Sequence, residues 1–134
     1  MKFVIDTNIL FSFFKPDSFT KKLINNSFFE LISPDYALIE LKKYANLIIK
    51  KNKISKNKFN EYLNSLKQTV KFLPQKDYTK FLSNAKEIPP DIKDADFLAL
   101  CLKENSILWS NDNLLKNQDK VKVLSTEEIV RLIF

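Results

Sequence analysis

The sequence predicts an α/β protein in which helices cover both faces of a central, mostly parallel sheet of about four to five strands. Three observations carry this. Short apolar runs of strand length alternate with stretches of helical period, the order that a parallel sheet requires. Two of those runs, Phe3 to Ile5 and Ile107 to Trp109, meet an acid at or just past their carboxyl ends, Asp6 and Asp112. A length of 134 residues with 45% hydrophobic content suits one domain, residues 1–134, with a single core.

Taken in order, residues 2–6 read as the first strand, followed by helix through about Leu10 to Phe14 that Pro16 stops. Asp17 or Ser18 can cap a second short helix, which the Asn25-Asn26 pair ends. Phe28 to Ile32 reads as the second strand. Pro34 and Asp35 then supply first-turn residues for one long helix to about Lys51. Its apolar face is Ala37, Leu41, Tyr44, Ala45 and Ile48, and Glu40 stands about 100° from the centre of that face.

Ser55 opens another amphipathic helix with Phe59, Leu63, Leu66 and Val70 on its buried side. After the break at Pro74, Asp77 to Ala85 reads as a short helix, and Pro89-Pro90 as an extended approach to the next. That next helix begins near Asp94. Asp94, Phe97, Leu98 and Cys101 are spaced i, i+3, i+4, i+7, so Asp94 heads a stripe that must be buried. Asp96 lies about 200° away on the helical wheel and is expected to face outward. Asn105 and Ser106 turn the chain into the strand Ile107 to Trp109, and Asn113 to Lys116 is a short helical stretch. Val121 to Leu124 is the final strand. Ser125 with Glu128 three residues on forms a capping box for the last helix.

Composition narrows the chemistry. Histidine is absent, which removes Ser-His-Asp and Cys-His schemes, imidazole bases and His-bound zinc. The one cysteine, Cys101, excludes an internal disulfide and reads as a small core residue. No apolar run is long enough for a membrane span, and Asp6 interrupts any signal-peptide core, so the sequence reads as a soluble cytoplasmic protein. The net charge of +6 suits a polyanionic partner. Seven lysines and no acid fall between Lys42 and Lys58; the run is either a solvated face or a phosphate-contacting rim.

Each acid has an ordinary structural reading. Asp6 and Asp94 suit helix caps, and Glu40 suits an exposed pair with Lys43. Together they suggest more, because Asp6 and Asp112 end strands of one parallel sheet and emerge on one edge. Glu40 and Asp94 come from helices beside it. Four carboxylates in one cleft repel one another unless one takes a proton or a divalent cation joins them. Oxygen ligands favour Mg²⁺ or Mn²⁺, which can activate water against a phosphodiester. With those four acids set aside, 22 basic residues face 12 acidic ones, so the pocket and its surroundings carry opposite signs.

Four motifs in order carry a family resemblance along essentially the whole chain: Phe-Val-Ile-Asp6-Thr-Asn8, Glu40 in Tyr-Ala-Leu-Ile-Glu-Leu, Asp94-Ala-Asp-Phe-Leu-Ala-Leu-Cys-Leu, and Leu-Trp-Ser110-Asn-Asp112. The chain resembles PIN-domain proteins of the VapC toxin type. The resemblance implies a three-layer α/β/α fold and a Mg²⁺- or Mn²⁺-dependent endoribonuclease acting on RNA. It also implies frequent homodimerisation and, for toxins, a small antitoxin that blocks the cleft. Residue by residue, Asp6, Glu40, Asp94 and Asp112 match the acidic quartet, while Asn8 and Ser110 match polar positions that support it. Asp96 is an additional acid that could share the metal role. Asn111 stands where relatives often have glycine, and Asn tolerates the left-handed backbone that a turn there would need.

Two other classes fit parts of the sequence. A catalytically silent PIN-like module would bind RNA or protein without cutting. A phosphoryl-transfer protein would use Asp6 as nucleophile, but the dehalogenase pattern needs an acid two residues on, where Asn8 stands.

Overall fold

The computed structural model describes residues 1–26, 28–88 and 94–133. Its elements run β1 (Lys2–Ile5), α1 (Thr7–Ser12), α2 (Phe19–Ile24), β2 (Glu30–Pro34), α3 (Asp35–Lys43), α4 (Ala45–Asn52), α5 (Lys56–Thr69), β3 (Val70–Leu73), α6 (Leu82–Lys86), α7 (Ala95–Glu104), β4 (Ile107–Trp109), β5 (Val123–Leu124) and α8 (Thr126–Ile133). The five strands form one sheet in the order β3-β2-β1-β4-β5, and every neighbouring pair is parallel.

This order fixes the layers. From β1 the chain steps outward to β2 and β3, then crosses back to β4 and β5 on the other side. Right-handed crossovers therefore put α1 to α5 on one face and α6 and α7 on the other. Contacts follow that division: α1 packs on α3, α3 on α4 and α4 on α5, while α7 packs on α6 and covers β1, β2 and β4. The three central strands are mainly apolar inside their first residues, as strands covered on both faces must be. Phe3, Val4, Ile5, Leu108 and Trp109 are fully buried, and Leu98, Ala99, Leu100 and Cys101 of α7 close over them.

Several sequence expectations change. Val70 was expected to extend the buried face of α5; it is buried, but as the first residue of β3, paired with Leu31. Helical spacing cannot separate the two states where the residue is buried in both. The second strand starts at Glu30, not Phe28, because Asn26 Oδ1 accepts the Phe28 N–H in a turn and leaves Phe28 79% exposed. Pro34 closes that strand with an extended backbone instead of entering the helix.

The long helix expected to Lys51 is two helices. The backbone leaves helical geometry at Tyr44 (φ −99°, ψ 17°), whose ring packs edge-on against Phe11 of α1 at 6.2 Å. In place of the helix expected over Asp77 to Ala85 stand two 3₁₀ turns, Gln75–Asp77 and Thr79–Phe81, and the short α6. The extended approach expected at Pro89-Pro90 lies outside the described residues. Without glycine, left-handed backbone falls to Asp17, Lys53 and Asn105. Asn111 is not among them; its side chain accepts the Thr126 N–H at 2.8 Å and ties β4 to α8.

The expected ends hold. Ser18 caps α2, and Ser125 and Glu128 bond each other's N–H groups in the capping box of α8. Among the described residues no helix is long and apolar enough to cross a membrane.

Candidate active site

In an open parallel sheet, ligands collect beyond the carboxyl ends of the strands where the strand order reverses. Here that point lies between β1 and β4, the neighbours from which the chain runs outward in both directions. Ile5 pairs with Trp109, so the next rung holds Asp6 and Ser110. The Asp6 N–H continues the ladder to the Trp109 carbonyl at 3.1 Å. On the other side, buried Ser33 of β2 donates its hydroxyl to the Ile5 carbonyl at 2.9 Å. Backbone and side-chain bonds from both neighbours thus hold Asp6 in place.

Asp6, 7% exposed, stands at the N-cap of α1, where the N–H groups of Thr7 and Asn8 favour its charged form. Ser110, fully buried, donates its hydroxyl to Asp6 Oδ2 at 2.6 Å. The same hydroxyl accepts the Asp112 N–H at 3.1 Å. One serine therefore ties the Asp6 carboxylate to the backbone of Asp112. Burial pushes the Asp6 carboxyl up from its ordinary 3.8; the Ser110 bond and the N–H groups of Asn8 and Thr7 pull against it, and the charge of Asp112 adds to the rise. Asp112 also caps the following 3₁₀ turn, Asn113–Asn117, by accepting the Leu114 N–H at 3.0 Å.

Glu40 joins through Thr7, a residue that sequence reasoning passed over. Buried Thr7, directly after Asp6, donates its hydroxyl to Glu40 Oε1 at 2.8 Å. This bond ties α3 to the start of α1, and Lys43 lies over the Tyr44 ring. The visible signal was a hydroxyl residue beside a strand-end acid. Asn8 is exposed, and its contribution to Asp6 is its backbone N–H.

Asp94 is half-buried at the first residue before α7, and its carboxylate does not cap that helix. Phe97, Leu98 and Cys101 are buried behind it as the spacing predicts. Asp96 does not face open solvent as expected: it is half-buried and accepts a 2.6 Å bond from the hydroxyl of buried Tyr78. The wheel saw only α7, whereas Tyr78 reaches it from the turns before α6. Tyr36, one turn before Glu40, feels the charges of both Glu40 and Asp96, which raise its hydroxyl pKa.

The donors are all hard oxygens from carboxylates and hydroxyls, a set that suits Mg²⁺ or Mn²⁺ and not zinc. Among the described residues no three acids lie close enough to hold one ion together. Asp6 and Asp112 are the pair that the structure brings together, through Ser110. Glu40 is linked through Thr7.

Comparison with known proteins agrees with this fold. A family model described as the PIN domain matches residues 4–131. No curated protein sequence matches the chain. Among solved structures, VapBC2 from Rickettsia felis, bound to a DNA fragment from their promoter, is similar in fold, with a TM-score of 0.63 at 17% identity. The match covers 93% of this chain and 98% of that one. With the PIN model spanning nearly every residue and the acids at the edge where such a sheet binds its ligands, the chain belongs to the PIN domain family.

Proposed function

We propose that this protein is a Mg²⁺- or Mn²⁺-dependent endoribonuclease of the VapC type, the toxin of a toxin–antitoxin pair. The observation that carries the reading is the Asp6–Ser110–Asp112 linkage at the switch point of a PIN-family sheet. Asp6, Glu40, Asp94 and Asp112 would hold the cation. When bound, a divalent ion acidifies water and neutralises charge that grows on a scissile phosphodiester. Ser110 fixes the directions of Asp6 and the Asp112 backbone, and Thr7 fixes Glu40. The raised pKa of Asp6 supports the reading, since a buried acid beside a second carboxylate gains from a cation. The likeness to VapBC2 supports a small antitoxin as partner, and the proposed assembly is a homodimer.

The test is cleavage of a single-stranded RNA in Mg²⁺, in Mn²⁺ and in EDTA. Cleavage should need the ion and vanish in Asp6→Asn and Asp94→Asn while circular dichroism stays unchanged. Cleavage in EDTA, or full activity in either variant, refutes the assignment. Turnover of a small phosphomonoester instead would favour Asp6 as a nucleophile.

A second reading draws on one observation: no three described acids stand at ligating distance as a group. On that reading the chain binds RNA or protein without cutting it. It predicts no divalent-dependent cleavage of any RNA.

A further inference from the structure

Tyr78 sits between the two 3₁₀ turns that join β3 to α6. β3 is parallel to the rest of the sheet, so the chain that follows Leu73 starts from the same carboxyl edge as Asp6 and Ser110. The backbone of Tyr78 is held at both ends. Its N–H bonds the Gln75 carbonyl at 3.0 Å, and its own carbonyl accepts the Phe81 N–H at 2.9 Å. Thr79 adds a hydroxyl bond to the same Gln75 carbonyl at 2.7 Å. The side chain is 1% exposed, and its hydroxyl donates to Asp96 Oδ2 at 2.6 Å. A phenol has one proton to donate, and this bond takes it.

Asp96 stands in the first turn of α7, two residues after Asp94 at the head of that turn. An acid there already gains from the helix N-terminus, so its charge needs no further partner. What the short bond from a buried phenol adds is direction. Ala95, Phe97 and Leu98 are buried on the inner side of the turn, but apolar burial is non-directional. Tyr78 pins the turn from another element whose own backbone is braced.

We propose that Tyr78 is a positioning residue of the cation site: through Asp96 it fixes the head of α7, and with it the Asp94 carboxylate. This role rests on the divalent-cation reading of the acids, but its failure is read separately. The experiment is calorimetric titration of Mn²⁺ into the metal-free full chain, with the melting temperature followed alongside. Tyr78→Phe keeps the ring and loses only the hydroxyl. It should weaken Mn²⁺ binding about tenfold, the lower end of the cost of losing a hydrogen-bond partner behind the metal ligands. Asp96→Ala removes the acceptor and should weaken binding by the same factor. The Tyr78→Phe/Asp96→Ala double variant should go no further, because the same single bond is lost in all three. Asp96→Asn keeps an acceptor oxygen for the phenol and should bind Mn²⁺ close to the wild type.

A Tyr78→Phe variant that melts lower but binds Mn²⁺ as the wild type does would give Tyr78 a structural role alone and overturn the proposal. Binding by Asp96→Asn as weak as by Asp96→Ala would put the Asp96 charge on the ion itself and overturn it too. If Tyr78→Phe does not fold, Asp96→Ala against Asp96→Asn makes the same comparison from the half-buried end of the bond. Absence of Mn²⁺ binding in the wild type overturns the cation reading and this role with it. Wild-type binding with Tyr78→Phe unchanged removes the role of Tyr78 alone.

Discussion

At the residue scale, Asp6 carries opposite costs and uses. Its carboxyl is raised above 3.8 chiefly by burial, so over the window above 3.8 the folded state keeps a proton that the unfolded chain releases. Stability of the metal-free protein therefore falls as pH rises through that window. Asp6→Asn should melt higher than wild type at pH 7 without divalent ion, and the gap should close as pH falls toward 3.8, read by thermal denaturation. A variant that melts lower at pH 7 would contradict a net cost of burying the Asp6 charge. Ser110→Ala removes the shared hydroxyl and should lower Mn²⁺ affinity by about 10- to 100-fold with the fold retained, measured from the activation curve. Asp96→Asn should cost far less activity than Asp94→Asn, because Asp96 is engaged by Tyr78. Equal losses would make Asp96 a ligand.

At the element scale, the sequence showed what local period and punctuation encode. The first and fourth strands, the buried stripe of α7 and the Ser125–Glu128 box were all readable. Elements decided by distant partners were not. β3 exists because Val70 to Leu73 find Leu31 to Pro34, and the α3–α4 break exists because Tyr44 finds Phe11. Neither contact has a local signature. The box at α8 gives a clean local test: Ser125→Ala should cost about 1 kcal/mol in chemical denaturation. The core under the site gives a larger one, since Leu98 is fully buried on α7 and Leu98→Ala should cost about 2–5 kcal/mol.

At the scale of the whole molecule, the strand order does what no single motif does. It brings residue 6 beside residue 110 and makes their edge the one point where the chain turns both ways. The four acids were legible as residue types: Asp6 and Asp112 at or just past strand ends, Asp94 at a helix start and Glu40 within a helix. What joins them was not, since Thr7 and Ser110 act across 33 and 104 residues of sequence. The same placement sets an acid pair within a chain of net charge +6, so on the proposed function a divalent ion and a polyanion would each find their complement. A bound ion should also raise the melting temperature, by mass action on the folded state.

On the proposed function, the strand-end acids form a divalent-cation site. Calorimetric titration of Mn²⁺ into the wild type and into Asp6→Asn tests it most directly. Saturable binding in the wild type that is lost in Asp6→Asn, with Asp96→Asn close to wild type, is the predicted result. Equal Mn²⁺ binding by wild type and Asp6→Asn, or none by either, would contradict it.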